Sequence, residues 1–172
     1  LYNIIDNHDD QGYNAMDSFI STYDLDNYYD SNGSSTILDV YSEIPNNGNS
    51  TPNDVYNYTP TTDECGNYTN EGDCYNKEHV IPQSAFGGST PMRSDAHQLL
   101  PTDGRVNGFR GSFPFGRVDD NNLVSQSGIT NPTTNGSKLG GNLNSGYSAG
   151  YTGTVFEPID EFKGDIARIY FY

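Results

Sequence analysis

The chain has 172 residues, 33% of them hydrophobic, with no Trp and a formal net charge of −15. This length fits one domain spanning residues 1–172, which can bury roughly 70% of its unfolded surface. No apolar run is long enough to cross a membrane, and so acidic a composition at first argues against a polyanionic partner such as nucleic acid.

The N-terminal part of the chain predicts one helix followed by short strands. Met16, Phe19, Ile20 and Tyr23 recur at helical spacing, which predicts an amphipathic helix over about residues 14–23. Residues 35–41 are rich in β-branched and apolar side chains and predict a strand, as do residues 55–58. A loop rich in Pro, Asn and Gly separates the two segments. We therefore expect the fold to begin with mixed structure.

Two cysteines, Cys65 and Cys74, enclose a segment whose Gly and Asn residues suit a turn. We favour a disulfide between them. The alternative is a pair of zinc ligands, which would need two further soft or imidazole ligands nearby. Because a disulfide persists in an oxidising compartment, the pair predicts a secreted or periplasmic protein.

The C-terminal half predicts short helices between loops. A strand over 78–82 ends at a proline, a helical or turn segment begins near residue 94, and a short helix covers about 103–110. Residues 118–153 show no strong period and predict irregular loops with short strands. The final helix, from about residue 164, has no C-cap, so we expect the native polypeptide to continue beyond residue 172.

Basic residues are concentrated in one segment of the chain. Residues 1–76 contain 14 acidic and no basic residues, whereas residues 77–117 contain five basic and three acidic ones. This pattern predicts a small electropositive cleft that can meet a polyanion. Its arginines are Arg93, Arg105, Arg110 and Arg117. The alternative is that these arginines pair with surrounding acids.

A Glu-His pair and a downstream Asn carry the most informative chemistry. Glu78 and Asn107 offer oxygen ligands suited to Mg²⁺, with Mn²⁺ or Ca²⁺ as alternatives. His79, with an ordinary pKa of about 6.5, can take a proton from water. Hydrolysis of a phosphodiester needs such a base and a group that neutralises the developing charge. The alternative interpretation is a surface His beside a solvated Glu.

Four ordered motifs resemble the bacterial endonuclease I family. They are CYNKEHVIPQS at 74–84, SDAHQLLPTD at 94–103, VNGFRG at 106–111, and FEP with KGDIARIYFY within 156–172. The resemblance implies an α+β, loop-rich fold, with mixed helices and short strands around a ββα-metal (His-Me finger) motif. It also implies a secreted or periplasmic nuclease that cuts DNA, with RNA as a further candidate substrate, and leaves 5′-phosphate products.

The resemblance assigns roles to individual positions. It makes His79 the general base, with Glu78 and Asn107 as ligands of a divalent metal. Asp95 and His97 match a family Asp-x-His pair, for which we favour a structural or orienting role over direct metal ligation.

The same resemblance bears on the arginines. Arg110 matches a family arginine near the site, which would contact phosphate or, alternatively, form a structural salt bridge. Some relatives stabilise the transition state with an arginine upstream of the Asp-x-His pair, and Arg93 lies in that region at a different spacing. Arg105 and Arg117 complete the set of candidate substrate-binding residues.

A second class of function stays open at this point. The Tyr, Asn, Gly and Thr content and the acidic surface also suit a secreted adhesion or carbohydrate-binding module. Its calcium would lie at Asp24-x-Asp26 or at residues 30–33, which resemble part of a calcium loop. For the nuclease we expect a monomer with a nucleic-acid partner and no membrane partner.

Overall fold

The computed structural model describes residues 9–27, 29, 35–43, 56–134 and 136–172. Its α-helices and strands are α1 (Ala15–Tyr23), β1 (Tyr75–His79), α2 (Gln83–Phe86), β2 (Leu99–Asp103), α3 (Gly104–Arg110), β3 (Val118–Leu123), β4 (Lys138–Asn142), β5 (Thr154–Glu157) and α4 (Lys163–Ile169). Short 3₁₀ helices cover Met92–Ser94, Gly146–Ser148 and Asp160–Phe162. This is the predicted α+β class. None of these helices has the length and apolar character needed to traverse a lipid bilayer.

Strands β1 and β2 and helix α3 form one ββα unit. β1 pairs with β2 in antiparallel fashion, and His79, the last residue of β1, lies opposite Leu99. α3 follows β2 directly, because Asp103 ends the strand and caps the helix. Its Oδ1 accepts a hydrogen bond of 2.8 Å from the backbone N–H of Val106. The unit therefore fixes the end of β1 relative to α3.

The remaining strands form a second antiparallel sheet in the order β3, β4, β5. Leu139 on β4 lies opposite Phe156 on β5, and both side chains are buried. Gly140 lies so close to β3 that a Cβ would come within 2.6 Å of the carbonyl oxygen of Asn122. A larger residue at this position would push the strands apart.

The main hydrophobic core joins the ββα unit to the second sheet and to α4. Its buried residues are Val40, Tyr41, Val80, Val106, Phe109, Leu139, Phe156, Ile159, Phe162 and Ile166. A smaller cluster of Ile20, Ile37, Tyr58 and Tyr75 packs α1 against β1. Aromatic side chains thus supply much of the core in a chain without Trp.

Several predicted elements are confirmed. The helix expected over 14–23 is α1, the one expected over 103–110 is α3, and the C-terminal helix is α4. The stretch 118–153 consists of loops around β3 and β4. Cys65 and Cys74 form the expected disulfide, with their Cα atoms 5.9 Å apart, so the zinc alternative is excluded.

Two predicted strands are wrong, and a third predicted element ends early. Residues 35–41 form only an isolated bridge between Leu25 and Ile37, followed by a turn. The carboxylate of Asp39 accepts a hydrogen bond from the backbone N–H of Tyr41 at 3.0 Å, which favours the turn over a strand. Of the strand expected over 55–58, residue 55 lies outside the described residues and 56–58 are not a strand. The helical or turn segment predicted from residue 94 ends sooner than expected, because residues 99–103 form β2.

Asp39 makes folding depend on pH. Burial, and then the nearby carboxylate of Asp103, raise the pKa of Asp39 from 3.8 to about 7. Between these two values the folded chain holds a proton that the unfolded chain has lost, so stability rises as the pH falls. This one group contributes at most about 1.4 kcal/mol per pH unit.

We expect the free energy of unfolding to increase more between about pH 8 and pH 5 in the wild type than in Asp39→Asn. Denaturant unfolding across this range measures the difference. Asp120→Asn, which removes a charge at an exposed carboxylate, is the matched control. Equal pH slopes in the wild type and Asp39→Asn would contradict the assignment.

Candidate active site

The end of β1 turns the side chains of Glu78 and His79 to different surroundings, as alternation along a strand requires. Glu78 is 2% exposed. Its Oε1 accepts a hydrogen bond of 2.6 Å from the hydroxyl of Tyr41 and a charge-assisted one from the guanidinium of Arg110. Both donors hold the same oxygen, so the carboxylate is fixed with Oε2 as the atom it can offer to a cation.

Arg110 is fully buried on α3 and holds the end of β1 in place. Besides Glu78 it donates to the carbonyl oxygens of His79 at 2.8 Å, Val80 at 2.9 Å and Phe113 at 3.2 Å. The Arg110 side chain is fully buried and donates to four protein oxygens, so its N–H groups are used within the protein. The placement favours the structural salt bridge over a contact with phosphate.

The ionisation of Glu78 reflects its burial. Burial raises the pKa of Glu78 to about 7, although Arg110 and the Tyr41 hydroxyl favour the charged form. A cation at Oε2 would favour the carboxylate further. A positive ion beside Glu78 would therefore offset the cost of burying its charged carboxylate.

His79 is 6% exposed and has a defined tautomer. Its Nε2 lies 3.0 Å from the carbonyl oxygen of Arg93, which can only accept, so the ring proton is on Nε2. Nδ1 is then the unprotonated nitrogen, and the side-chain amide of Gln83 lies 3.4 Å from it. Burial, reinforced by the charges of Arg93 and Lys77, lowers the pKa of His79 below 6.5. The imidazole is therefore neutral at pH 7 and ready to accept a proton at Nδ1.

Aromatic rings enclose the imidazole. The ring of Tyr13 stacks on His79 with centroids 5.8 Å apart, and Phe86 lies 6.1 Å away at a tilted angle. Two cations also lie over the Tyr13 ring. The guanidinium of Arg93 is 4.7 Å and the ammonium of Lys77 4.9 Å from the ring centroid. Tyr13 thus places two cationic side chains beside His79.

Asn107 reaches β1 from α3. Its Nδ2 donates to Oδ1 of Asn76 at 2.7 Å and to the carbonyl oxygen of Lys77 at 3.3 Å. With the amide nitrogen engaged, Oδ1 is the atom that Asn107 can offer. Because Asn76 and Glu78 lie two residues apart on β1, their side chains point to the same face of the strand, so Asn107 contacts the face that also carries the Glu78 carboxylate.

These donors fit a hard divalent cation. Glu78 Oε2 and Asn107 Oδ1 are oxygen ligands, and Mg²⁺ is commonly held by one or two protein oxygens while water and phosphate complete its shell. Within the described residues no group of three or more His, Cys, Asp and Glu side chains could hold a metal. A metal here would thus be held by this sparse pair.

The Asp95–His97 pair lies on an exposed turn. Oδ1 of Asp95 accepts from the backbone N–H of His97 at 2.9 Å and lies 3.1 Å from its Nδ1. The imidazole of His97 stacks on Tyr172 with centroids 4.2 Å apart. This geometry favours the structural role over metal ligation.

The structure distributes the arginines of the basic segment over separate parts of the fold. Arg93 lies beside His79, whereas Arg105 donates to the carbonyl oxygen of Ser127 at 2.6 Å and Arg117 packs near the ring of Tyr147. Arg110 is buried. Their contacts do not unite them around one cleft, so Arg93 is the member placed best to meet a phosphate at His79.

The structure gives little support for calcium binding at Asp24-x-Asp26. Oδ1 of Asp26 accepts from the backbone N–H of Tyr29 at 3.1 Å, which makes a local turn. Burial raises the pKa of Asp24 to about 6, which is unlike a preformed calcium ligand. The other candidate loop, residues 30–33, lies outside the described residues.

Several residues of the site carried no signal in the sequence. Tyr41 reaches Glu78 across 37 positions, and Tyr13 reaches His79 from the N-terminal region. The backbone carbonyl of Arg93 sets the tautomer of His79, and a backbone group cannot be recognised from residue types. Asn76, which orients Asn107, could have been suspected from its place in the first matching motif.

Comparison with known proteins decides the family. The family model described as Endonuclease I matches residues 1–172. The chain belongs to the endonuclease I family. Among curated relatives, this family member is similar to the extracellular ribonuclease of Bacillus subtilis (strain 168), with 36% identity over 108 residues, which are 62% of this chain and 30% of the relative.

Two other relatives bear similar names. The extracellular ribonuclease of Bacillus amyloliquefaciens is 37% identical over 100 residues, 57% of this chain and 27% of the relative. Endonuclease-1 of Buchnera aphidicola subsp. Acyrthosiphon pisum (strain APS) is 28% identical over 113 residues, 55% of this chain and 38% of the relative. The matched region thus spans between about a quarter and two fifths of the length of these relatives.

Proposed function

We propose that this member of the endonuclease I family is a metal-dependent endonuclease that hydrolyses phosphodiester bonds of DNA and RNA. The observation that carries the proposal is the neutral imidazole of His79, with Nδ1 unprotonated, at the end of the strand that also presents Glu78. Family membership and the nuclease names of the relatives support it.

His79 is the general base of this reaction. Its Nε2–H bond to the Arg93 carbonyl holds the ring so that Nδ1 takes the proton from the attacking water. Gln83, near Nδ1, helps to orient the ring. Since burial lowers the pKa of His79, the neutral base persists to a lower pH than for an ordinary histidine.

Glu78 and Asn107 would hold a divalent cation, most simply Mg²⁺, with Mn²⁺ and Ca²⁺ as alternatives. When bound, the ion supplies positive charge against the phosphate and its leaving oxygen. Tyr41 and Arg110 keep the Glu78 carboxylate in position. Asn76 accepts a hydrogen bond from Asn107 Nδ2 and so orients the amide of Asn107.

Arg93 is the candidate phosphate contact, because its exposed side chain lies over Tyr13 beside His79. Arg105, which donates to Ser127, and Arg117, which lies near Tyr147, would meet other phosphates of the same strand. The family resemblance favours 5′-phosphate products. The disulfide and the extracellular relatives support a secreted or periplasmic location.

The test is digestion of plasmid DNA and of total RNA by the purified protein with Mg²⁺ and with excess EDTA. We expect cleavage of both nucleic acids with Mg²⁺ and none in EDTA. Restoration of activity by Mg²⁺ added beyond the chelator is the control for irreversible damage. Full cleavage in EDTA would contradict metal dependence, and no cleavage with any divalent cation would contradict the nuclease.

A further inference from the structure

A groove of about 650 Å³ lies between β5, α4 and the loop that contains the 3₁₀ helix Gly146–Ser148. Its walls are rich in aromatic rings, and we call it the aromatic groove. The rings belong to Phe115, Tyr147, Tyr151, Tyr170 and Phe171. Tyr147 is 86% and Tyr151 46% exposed. Rings left this open to water on one groove are a typical mark of a binding surface.

The charge of the aromatic groove differs from that of the whole chain. Among the described residues no Asp or Glu lines it, although the chain has 23 acidic and 8 basic residues. Its lining includes Arg117 and Lys163. Lys163 pairs with Glu157 and Asp160 outside the groove, whereas the guanidinium of Arg117 lies 5.9 Å from the ring of Tyr147. The groove therefore combines aromatic faces with a cation and suits an anionic ligand that has flat rings.

The aromatic groove shares a wall with the candidate active site. The guanidinium of Arg110, which holds Glu78, packs 4.4 Å from the centroid of Phe115. The hydroxyl of Tyr170 donates to the carbonyl oxygen of Val80, the residue after His79, at 3.2 Å. These two contacts connect the wall of the groove to the segment that carries Glu78 and His79.

We propose that the aromatic groove binds unpaired bases of a single-stranded nucleic acid, with Arg117 meeting a phosphate between them. This inference rests on the proposed nuclease function. Bases stack on aromatic side chains without regard to sequence, and each lost stacking partner weakens binding about 5- to 150-fold. Duplex DNA keeps its bases stacked inside the helix, so the groove favours single-stranded DNA, RNA loops and frayed ends.

The experiment measures binding of a fluorescently labelled oligothymidine by anisotropy, with the full chain in EDTA so that metal-dependent cleavage does not interfere. We expect Tyr147→Ala to weaken binding at least about 5-fold. Tyr23→Ala, which removes an exposed tyrosine on α1 that does not line the groove, is the matched control and should bind as the wild type does.

An abasic oligonucleotide of equal length separates stacking from charge. We expect it to bind the wild type more weakly than oligothymidine, and the difference between the two oligonucleotides to be smaller in Tyr147→Ala. Arg117→Ala should weaken both and reduce the salt dependence by about one phosphate contact. Equal binding of both oligonucleotides by the wild type, or equal affinities of Tyr147→Ala and Tyr23→Ala, would overturn the inference. A change in oligomeric state on Tyr147→Ala, with unchanged binding, would instead assign the groove to a second copy of the chain.

The two proposals fail in different ways. If the wild type cleaves nucleic acid with Mg²⁺ but Tyr147→Ala binds oligothymidine normally, the groove inference falls and the nuclease stands. If no cation supports cleavage while Tyr147→Ala still loses affinity, the nuclease falls and the groove stands as a binding site.

Discussion

Replacing Arg110 by methionine should destabilise the protein by about 3–5 kcal/mol, because the change leaves the carboxylate of Glu78 buried without its cation. The backbone carbonyls of His79 and Val80 would lose their donor at the same time. Denaturant unfolding at neutral pH measures the effect. The same variant should also lose nuclease activity, since the end of β1 depends on this side chain.

Arg168→Met is the matched control for this prediction. Arg168 forms an ion pair with Asp165, but its side chain is 71% exposed, and such surface pairs contribute about 0–1 kcal/mol. If Arg110→Met were as stable as Arg168→Met and lost only activity, Arg110 would be a phosphate contact and its structural role would be refuted.

Replacing His79 by alanine should lower the rate of nucleic-acid cleavage about 10²- to 10⁴-fold, because the proton of the attacking water loses its acceptor. Binding of nucleic acid should persist, since His79 is not among the candidate phosphate contacts. Single-turnover cleavage of a labelled duplex, together with a binding titration in EDTA, gives both quantities.

His97→Ala is the control, because this imidazole is 64% exposed at its side chain and belongs to the turn around Asp95. We expect it to retain most of its activity. Cleavage by His79→Ala at a rate close to that of the wild type would rule out His79 as the base.

The sequence predicted best the elements whose pattern was strong and local. α1 follows from its apolar spacing, and α3 begins where Asp103 can cap it. β2 was missed because a Leu pair followed by Pro101 does not distinguish a strand from a turn. In the structure Pro101 lies opposite Lys77 in a two-stranded sheet, where the missing N–H is tolerated.

The strand predicted over 35–41 failed for a different reason. Its β-branched residues favour extended structure, but Asp39 engages the backbone of Tyr41 and closes a turn. That turn places Tyr41 against Glu78. The hydrogen bond of Asp39 thus outweighed the local preference for a strand, and the resulting turn positions Tyr41 in the candidate active site.

Residue types made Glu78, His79 and Asn107 candidates for a base and two oxygen ligands, and the resemblance to the endonuclease I family assigned these roles to them. The protonation state of His79 needed the structure, since it depends on the carbonyl of Arg93. So did the role of Arg110, because burial separates a phosphate contact from a structural ion pair. Such properties arise from tertiary contacts between distant positions.

Binding of Mn²⁺ tests most directly whether Glu78 and Asn107 hold a divalent cation. Titration of the full chain, followed by electron paramagnetic resonance of unbound Mn²⁺, gives the affinity without relying on activity. We predict that His79→Ala binds Mn²⁺ as the wild type does and that Asn107→Ala binds it at least about 10- to 100-fold more weakly, the loss that changes around a metal ligand commonly cause. Equal Mn²⁺ affinity in the wild type and Asn107→Ala would contradict this account of the site.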